Sequence, residues 1–344
     1  MNIVRTLLTT VLLLPLASPT RADVKIDDDT RKATARALEW LARQQNPDGS
    51  WTDGGYAHNT AITSFAMLAF MAQGHLPNQG LYGPEVARAA RFLMATQRAD
   101  GYLVGARGGN MYCHAMATLA LAELLGQTGE DELRTVVKKA ADLIIKCQNK
   151  NGGWRYEPAP TGADISVTIM QVMALRACNN AGLHVPDETR RKAIDYIKSC
   201  YNAKVGGFSY QPGGGSPGFA RTAAGTCVLF LTRNIKPKEP WEKETEAWID
   251  LNLPRAVEYL QRNFESPVHF WYGHYYAAHA MHQVGGKEWD EWYGRLVKYF
   301  LPRQGADGSW SAGSGRREVG PVYQTSISVI ILSVPMHYLP IFQR

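Results

Sequence analysis

The sequence predicts an all-α protein in which six helical hairpins form an outer and an inner layer of helices. The first observation is a turn motif, Q-x3-G-x-W, which occurs three times and keeps its spacing in a fourth copy that has Leu in place of Trp. Its anchors step through the chain by 52, 51 and 54 residues and then by 102, which is two steps. A fixed period of about 50 residues is typical of tandem repeats in which each repeat is one supersecondary unit. The anchors are Trp51, Leu103, Trp154, Phe208 and Trp310.

The second observation is that two kinds of helical segment alternate along the chain. The segment before each turn is amphipathic, whereas the segment after it carries almost no charge; residues 58–73, for example, contain no Asp, Glu, Lys or Arg. A helix that is charged on one face lies at the surface, and one that is apolar all round is surrounded by protein. The predicted outer and inner pairs are 30–45 with 58–73, 84–97 with 111–122, 131–148 with 165–175, 187–201 with 222–231, 253–264 with 271–284 (after an insertion at 233–252), and 287–301 with 321–334.

The ends of this array indicate how the two layers are arranged. Asp27, Asp28 and Asp29 precede the first helix, where acidic residues cap the helix and complement its dipole. An open superhelix of helix pairs needs a polar face on its terminal repeats. The last segment, 321–334, has no such face, so we expect the first and last repeats to meet and close a ring.

The N-terminus has the features of an export signal. A basic start, an apolar stretch and the small residues that end at Ala22 predict a secretory signal peptide over residues 1–22 and a single domain over 23–344. Cleavage removes Arg5 and Arg21, so the formal charge falls from +6 to +4 (35 basic minus 31 acidic residues). This mild charge, with no basic run, disfavours nucleic acid as a partner. The odd count of five cysteines disfavours a disulfide framework.

The repeated turns resemble the QW repeats of squalene–hopene cyclases. The whole predicted domain resembles the α/α toroid shared by terpenoid cyclases and protein prenyltransferase β subunits, and it is more closely similar to exported prenyltransferase/squalene oxidase repeat proteins. The resemblance implies that the Gln and Trp residues of the turns tie neighbouring helices together and take no part in chemistry. These residues are Gln45, Trp51, Gln97, Gln148, Trp154, Gln304 and Trp310.

The resemblance also implies an acid at the start of an inner helix, because class II terpene cyclases protonate an alkene with a D-x-D-D-T motif. The matching place here is 162–166, where only Asp164 remains. At a helix N-cap, backbone N–H groups and the helix dipole should lower its pKa, and an ionised carboxylate is a poor alkene protonator. The zinc site of protein prenyltransferases needs a Cys two residues after the Asp, and Ser166 stands there. No cofactor is indicated by these motifs, and no residue is assigned as a metal ligand.

Polar and aromatic residues cluster where the inner helices begin, and in a ring these starts converge on one mouth. We expect Asp164, His114 and His58 to be the catalytic candidates, either as an acid/base set or as the residue types that ligate a transition metal. The alternative is that each His is a satisfied helix cap or core residue. The expected substrate-binding residues are Tyr112, Arg221, Trp271, His274, Tyr275, Tyr323 and Gln324.

Three functions fit these observations. The first is an exported protein whose central cavity binds an isoprenoid-like or other apolar, lipid-like ligand, with or without cyclase or transferase chemistry. The second is a binding or scaffold protein of the cell envelope that has no catalytic activity. The third is a carbohydrate-active enzyme, although a glycosidase needs two carboxylates and the inner-helix starts offer Asp164 with Glu157 nearby. The oligomeric state is left open by the sequence.

Overall fold

The computed structural model describes residues 24–233, 237–311 and 319–343. The predicted signal peptide, residues 1–22, lies outside the described residues. Within them the chain forms twelve α-helices: α1 (Asp28–Arg43), α2 (Thr60–Met71), α3 (Gly83–Ala95), α4 (Met111–Thr128), α5 (Asp131–Lys146), α6 (Ile165–Asn180), α7 (Asp187–Ser199), α8 (Phe219–Leu231), α9 (Pro240–Arg262), α10 (Phe270–Val284), α11 (Gly286–Phe300) and α12 (Pro321–Leu332).

The even-numbered helices form a closed inner ring. Each one packs against the next, and α12 packs against α2, so the predicted closure is confirmed. The odd-numbered helices form the outer layer, and each covers its neighbours in the inner ring. Nearly every residue of the inner helices is buried, which explains why their sequences carry so little charge. The protein is therefore an α/α toroid of six helical hairpins, as the alternating pattern predicts.

The Gln–Trp turns hold the two layers together through a repeated set of hydrogen bonds. Trp51 donates its indole N–H to the carbonyl of Leu41 at the end of α1 (2.8 Å), and its backbone N–H donates to Thr63 Oγ1 on α2 (3.0 Å). Gln45 Nε2 donates to the carbonyl of Glu85 on the next outer helix (3.0 Å). Each turn thus joins an outer helix, its inner partner and the following hairpin.

The last of these turns joins the two ends of the chain. Gln304 Nε2 donates to the carbonyl of Ala33 on α1 (2.7 Å), which makes the same bond across the closure that Gln45 makes between the first two repeats. The glycine of each turn is required by its conformation. Gly152, for instance, has φ of 91°, and a side chain there would overlap the backbone of Lys192 on α7.

Two features differ from the sequence prediction. The expected insertion at 233–252 is mostly helical, because α9 starts at Pro240 with a capping box between Glu239 and Glu242 and continues past Pro254, whose ring is exposed. The fourth turn forms a small antiparallel hairpin of β1 (Tyr201–Asn202) and β2 (Gly207–Phe208). In the described part of the chain, no helix is long and apolar enough to cross a membrane.

The chain after α12 crosses the rim at the C-terminal ends of the inner helices. It forms short 3-10 helices over Val334–Met336 and Pro340–Phe342, and the second of these contacts α4 and α6. Ile341 is fully buried, and the ring of Phe342 stacks on that of His279 on α10 with their centroids 3.3 Å apart. This segment closes the far side of the ring, so the site lies at the opposite rim.

Candidate functional site

A cavity of about 870 Å³ lies at the rim where the inner helices begin. Every inner helix contributes to its wall at or near its first turn, so the predicted convergence of the inner-helix starts is confirmed. The cavity reaches solvent between partly exposed side chains such as Tyr56 and Val268. The contributing positions include Asn59, Asn110, Ser166, Phe219, His269 and Tyr323.

The wall of this cavity is aromatic and carries little charge. Among the described residues that line it there is no Asp, Glu or Lys, and the one Arg is Arg221. Phe65 and Phe219 add apolar rings, and asparagine and serine side chains add neutral polar groups. Seven tyrosines line the wall: Tyr56, Tyr112, Tyr156, Tyr210, Tyr259, Tyr272 and Tyr323.

The deeper tyrosines are held in their neutral form. Burial raises the pKa of Tyr112 and Tyr272 well above the ordinary value, so both hydroxyls remain protonated at physiological pH. The two rings lie 6.2 Å apart between α4 and α10. Such phenols present a π face to an apolar ligand and one hydroxyl to a polar group.

Three of the seven expected substrate-binding residues line the cavity, namely Tyr112, Arg221 and Tyr323. Tyr323 packs its ring edge-to-face on Phe65 (5.2 Å between centroids), so the two rings lie where α12 packs against α2. The sequence patterns therefore located two aromatic residues, on α4 and α12, and one cation on α8, and the structure brings all three to a single cavity.

The other four residues lie behind the wall, where the structure gives three of them polar partners. Trp271 donates to Ser328 Oγ on α12 (3.0 Å), and Gln324 donates to the carbonyl of Val319 (2.6 Å). Tyr275 packs edge-to-face on Phe65 (5.7 Å between centroids) and is almost fully buried. The fourth is His274, whose Nε2–H donates to the carbonyl of Phe264, just after α9 (2.9 Å).

His274 donates a hydrogen bond similar to the one that Trp donates in the three repeats with an intact turn. Its acceptor lies ten residues earlier in the chain, as the Leu41 carbonyl does for Trp51. Burial lowers the pKa of His274 to about 3, so the imidazole is neutral. The fifth repeat lacks a Gln–Trp turn, and His274 replaces its indole donor.

His114 is likewise a structural residue in this geometry. Its Nδ1 accepts the backbone N–H of Leu103 (3.0 Å), and its Nε2 lies 3.2 Å from the carbonyl of Ala140 on α5. Thr63 accepts the equivalent bond in the first repeat. Burial lowers the pKa of His114 to about 4. Both ring nitrogens are used within the fold, and the side chain does not line the cavity, so its placement supports the core alternative.

His58 also faces away from the cavity. Its Nδ1 lies 2.7 Å from Asp48 Oδ2 and 2.8 Å from Ser50 Oγ, both in the first turn. The residue has φ of 48°, which turns its half-exposed ring back over that turn. The three catalytic candidates therefore do not converge on one point.

Asp164 is the N-cap of α6 and is fully buried. One carboxylate oxygen accepts the N–H of Val167 (3.0 Å), and the other lies 3.8 Å from Arg155 Nε. The expectation of a lowered pKa is contradicted, because burial outweighs the hydrogen bonds and Arg155 and raises the pKa of Asp164. The carboxyl group does not line the cavity, since Tyr210 and Tyr156, whose hydroxyls are 3.1 Å apart, are the wall residues on that side.

The histidines do not form a metal site. His269 lines the cavity, whereas His279 is buried beneath Phe342 at the far rim. In residues 24–233, 237–311 and 319–343, no group of three or more His, Cys, Asp or Glu side chains is arranged to hold a metal ion. Asp164 with Ser166 does not fit the zinc site of protein prenyltransferases, and all five cysteines are free thiols.

Sequence reasoning missed several tyrosines that form the wall. Tyr156 and Tyr210 each stand two residues after a turn anchor, Trp154 and Phe208, and Tyr56 stands in the corresponding loop of the first repeat. The shared aromatic-x-Tyr pattern after the third and fourth anchors could have identified two of them. These loops lead directly into the inner helices, so an aromatic residue there reaches the mouth.

Comparison with known proteins agrees with this architecture. The chain is 36% identical over 73 residues to the lanosterol synthase of Mus musculus, which is 21% of this chain and 10% of that protein. It is 25% identical over 223 residues to the squalene–hopene cyclase of Zymomonas mobilis, which is 55% of this chain and 32% of that protein. The chain thus spans at most about a third of the length of these curated relatives.

Solved structures share the fold at low sequence identity. The type II terpene cyclase MstE from Scytonema matches 91% of this chain and all of its own, with a TM-score of 0.60 and 15% identity. Cellobiose 2-epimerase from Spirochaeta thermophila matches 91% of this chain and 98% of its own, with a TM-score of 0.66 and 14% identity. The model of the prenyltransferase alpha-alpha toroid domain matches residues 16–248 and 161–320. The chain is therefore a member of the prenyltransferase alpha-alpha toroid domain family.

Proposed function

We propose that this protein binds an isoprenoid-like or other apolar ligand in the cavity at the start of the inner helices. The observation that carries the proposal is the wall itself, which is built of tyrosine and phenylalanine rings and contains no carboxylate among the described residues. Ligand sites are typically apolar, concave and furnished with a few placed polar groups. The terpene cyclase MstE, whose fold this chain shares, has been solved with an isoprenoid substrate, geranylgeranyl dihydroxybenzoate.

Binding fits this cavity better than squalene-type cyclisation does. Alkene protonation needs a neutral carboxylic acid in contact with the ligand. Burial raises the pKa of Asp164, but Tyr210 and Tyr156 stand on the wall where that acid would have to reach. Cyclase chemistry would require a ligand atom to pass these rings.

The proposal includes export to the periplasm or the outside of the cell, with residues 23–344 as the mature chain. N-terminal sequencing of the exported form tests the boundary directly. We expect Asp23 as its first residue, with Ala22 the last residue removed. An exported form that keeps Met1, or one whose N-terminus lies inside α1, would contradict the predicted cleavage.

Native mass spectrometry of residues 23–344, purified without added ligand, tests whether the cavity is occupied. We expect a co-purifying apolar mass. Titration with farnesol, followed by protein fluorescence, then tests the site itself. Ala61→Trp places an indole in the cavity wall, and we expect it to weaken farnesol binding by about tenfold or more.

Leu251→Trp is the matched control, because Leu251 is exposed on α9 and should accept an indole without effect on binding. Equal affinities of both variants for farnesol would contradict a site in this cavity. Circular dichroism of both variants shows whether the helical ring is retained.

A carbohydrate ligand is the second candidate, and the seven tyrosine hydroxyls on the wall favour it. Cellobiose 2-epimerase has the same fold. A hydrolytic mechanism, however, needs a pair of carboxylates, and none lines the described wall. Binding of cellobiose in place of farnesol in the same titration, with loss in Ala61→Trp, would decide for this alternative. A bare apoprotein that binds neither probe would favour the scaffold function.

A further inference from the structure

A second and smaller cavity lies at the opposite end of the ring, where the inner helices finish. Its volume is about 70 Å³, and it shares no wall residue with the aromatic cavity. We call it the distal pocket. The C-terminal ends of α6 and α8 and the N-terminal halves of α7 and α9 enclose it. Its polar wall residues are Arg176, Asn179, Asn180, Thr189, Arg190 and Thr232.

The distal pocket carries an excess of positive charge. Arg176 and Arg190 both line it, and no Asp or Glu does so among the described residues. Arg190 donates to the carboxylate of Asp187 on the same helix, so one carboxylate serves the two guanidinium groups. The guanidinium of Arg190 also lies over the ring of Trp241, 5.6 Å from its centre, which fixes this side chain at the pocket wall. The two arginines therefore leave one positive charge without an anion.

That uncompensated charge belongs to Arg176 on α6. The residue is partly buried, and its Nε has neither solvent contact nor a hydrogen-bond partner. No hydrogen bond or ion pair joins its guanidinium to another residue in the described part of the chain. Glu123 acts on it only through its charge, beyond ion-pair distance, and accepts the backbone N–H of Ile341 instead. Burial accordingly lowers the pKa of Arg176, since no bonded anion offsets the loss of water.

An arginine in this state is unfavourable unless a partner is supplied from outside the fold. Burial removes water from a guanidinium, and the cost is offset only by hydrogen-bonded anions or other acceptors. Arg176 lies near the C-terminal end of α6, where the helix dipole favours a cation, but no carbonyl accepts from it. The charge is explained if a ligand brings the missing acceptors.

Other unused donors lie on the same wall. The Nε of Arg190 is also buried without a hydrogen-bond partner. Asn179, one turn after Arg176 on α6, makes no side-chain hydrogen bond to another described residue. The planar donor fork of a guanidinium matches the paired oxygens of a carboxylate or a phosphate. Unused donors on three side chains of one pocket therefore indicate an oxyanion as the occupant.

The size of the distal pocket limits what this oxyanion can be. A volume of about 70 Å³ equals the share of two or three water molecules, at about 30 Å³ each in the liquid. A free ion of a few heavy atoms fits, whereas a lipid or a sugar does not. We propose that the distal pocket binds a small oxyanion, an inorganic phosphate or a short carboxylate, and that Arg176 and Arg190 bind it together. This site is separate from the cavity of the proposed function.

Titration calorimetry of residues 23–344 with inorganic phosphate and with acetate, at an ionic strength held constant with chloride, tests the proposal. We expect one site for at least one of the two oxyanions. Arg176→Gln should weaken its binding about tenfold or more, because it removes charge-assisted hydrogen bonds. Arg191→Gln is the matched control and should keep the affinity, since Arg191 is an exposed arginine of α7 that pairs with Asp195 outside the pocket.

A second variant and a second measurement separate a bound anion from a general attraction of charges. Arg176→Lys keeps the charge but loses the donor fork, so it should recover only part of the affinity. The bound oxyanion should also raise the melting temperature of the wild type, and this rise should be absent in Arg176→Gln. Without the anion, Arg176→Gln should unfold no earlier than the wild type, because it removes a charge that has no partner.

Several results would overturn the distal oxyanion site. They are equal affinity in the wild type and Arg176→Gln, an equal loss in Arg191→Gln, full recovery in Arg176→Lys, and a folded wild type that binds neither oxyanion. Each is independent of the apolar ligand, because the two cavities share no wall residue. Farnesol affinity should accordingly be unchanged in Arg176→Gln, and its loss there would contradict the separation of the two sites.

Discussion

The carboxyl group of Glu123 is predicted to make the stability of the ring depend on pH. Glu123 lies on α4, is 2% exposed, and accepts the backbone N–H of Ile341 from the C-terminal segment (3.2 Å). Burial raises its pKa from 4.5 to about 7, while the bond to Ile341 and the charge of Arg176 act in the opposite direction. The native state therefore holds this proton over a range in which the unfolded state has lost it.

The sign follows from proton linkage. Between about pH 4.5 and pH 7 the native protein binds more protons than the unfolded chain, so the contribution of Glu123 to the free energy of unfolding falls as the pH rises. Each pKa unit corresponds to about 1.4 kcal/mol, which gives a loss of roughly 2.5 kcal/mol between about pH 5 and pH 8. Glu123→Gln keeps the size and an acceptor for Ile341 but does not titrate.

Urea unfolding of the wild type and of Glu123→Gln at these two pH values measures the effect. We expect the variant to gain roughly 2.5 kcal/mol relative to the wild type on going from about pH 5 to pH 8. Glu258→Gln, at an exposed residue of α9, is the control and should follow the wild type at both. A parallel pH dependence in the wild type and Glu123→Gln would refute the reasoning.

Two further predictions concern the ties between helices. Gln304→Leu removes the bond to the Ala33 carbonyl that closes the ring, and Gln148→Leu removes the corresponding bond to the Thr189 carbonyl. Each variant should lower the free energy of unfolding by about 1–2 kcal/mol, as measured by urea melts. A much smaller loss for Gln304→Leu than for Gln148→Leu would contradict a closed ring. His114→Thr introduces the residue type that accepts this bond in other repeats, and it should cost about 2 kcal/mol of stability while leaving farnesol affinity unchanged. A selective loss of affinity in a fully stable His114→Thr protein would restore its candidacy for the site.

The fold was predictable because its evidence is local and repeated. A Gly turn before a buried Trp at a fixed period, together with the contrast between charged and uncharged helices, specifies hairpins in two layers. The absence of a polar face on 321–334 specifies closure, which Gln304 and α1 complete in the structure. The convergence of inner-helix starts followed from that ring without any knowledge of side-chain directions.

The roles of the individual site residues were less predictable, because they depend on which way each side chain turns. The acceptor of the anchor N–H lies 12 residues after Trp51, 11 after Leu103 and 15 after Trp310. This variation in loop length hid the equivalence of His114 with the threonines of other repeats. The raised pKa of Asp164 is also an effect of the folded chain, since burial raises the pKa against the hydrogen bonds that the N-cap position itself predicts.

The six repeats contribute unequally to the cavity wall, and this inequality gives a physical reason for the position of the site. Of the 24 residues that line the cavity, 11 come from two stretches, 217–221 and 259–272, which belong to the fourth and fifth repeats. These two repeats lack both the Gln and the Trp of the turn, whereas the second repeat keeps its Gln97 and lacks only the Trp. Where the turn is intact, its Gln and Trp are committed to bonds between helices, as Gln45 and Trp51 are.

The same two repeats contain helix starts without a side-chain cap. Gly218 precedes α8 and His269 precedes α10, and neither side chain caps its helix, whereas Asn59, Asn110 and Asp164 cap the first three inner helices. At α12, Asp53 accepts the N–H of Tyr323 instead. Divergence from the repeat thus leaves two first turns available to a ligand, beside the one arginine of the described wall. A ring of repeats obtains an asymmetric site in this way, by relaxing the structural motif in one sector while the other repeats keep the ring closed.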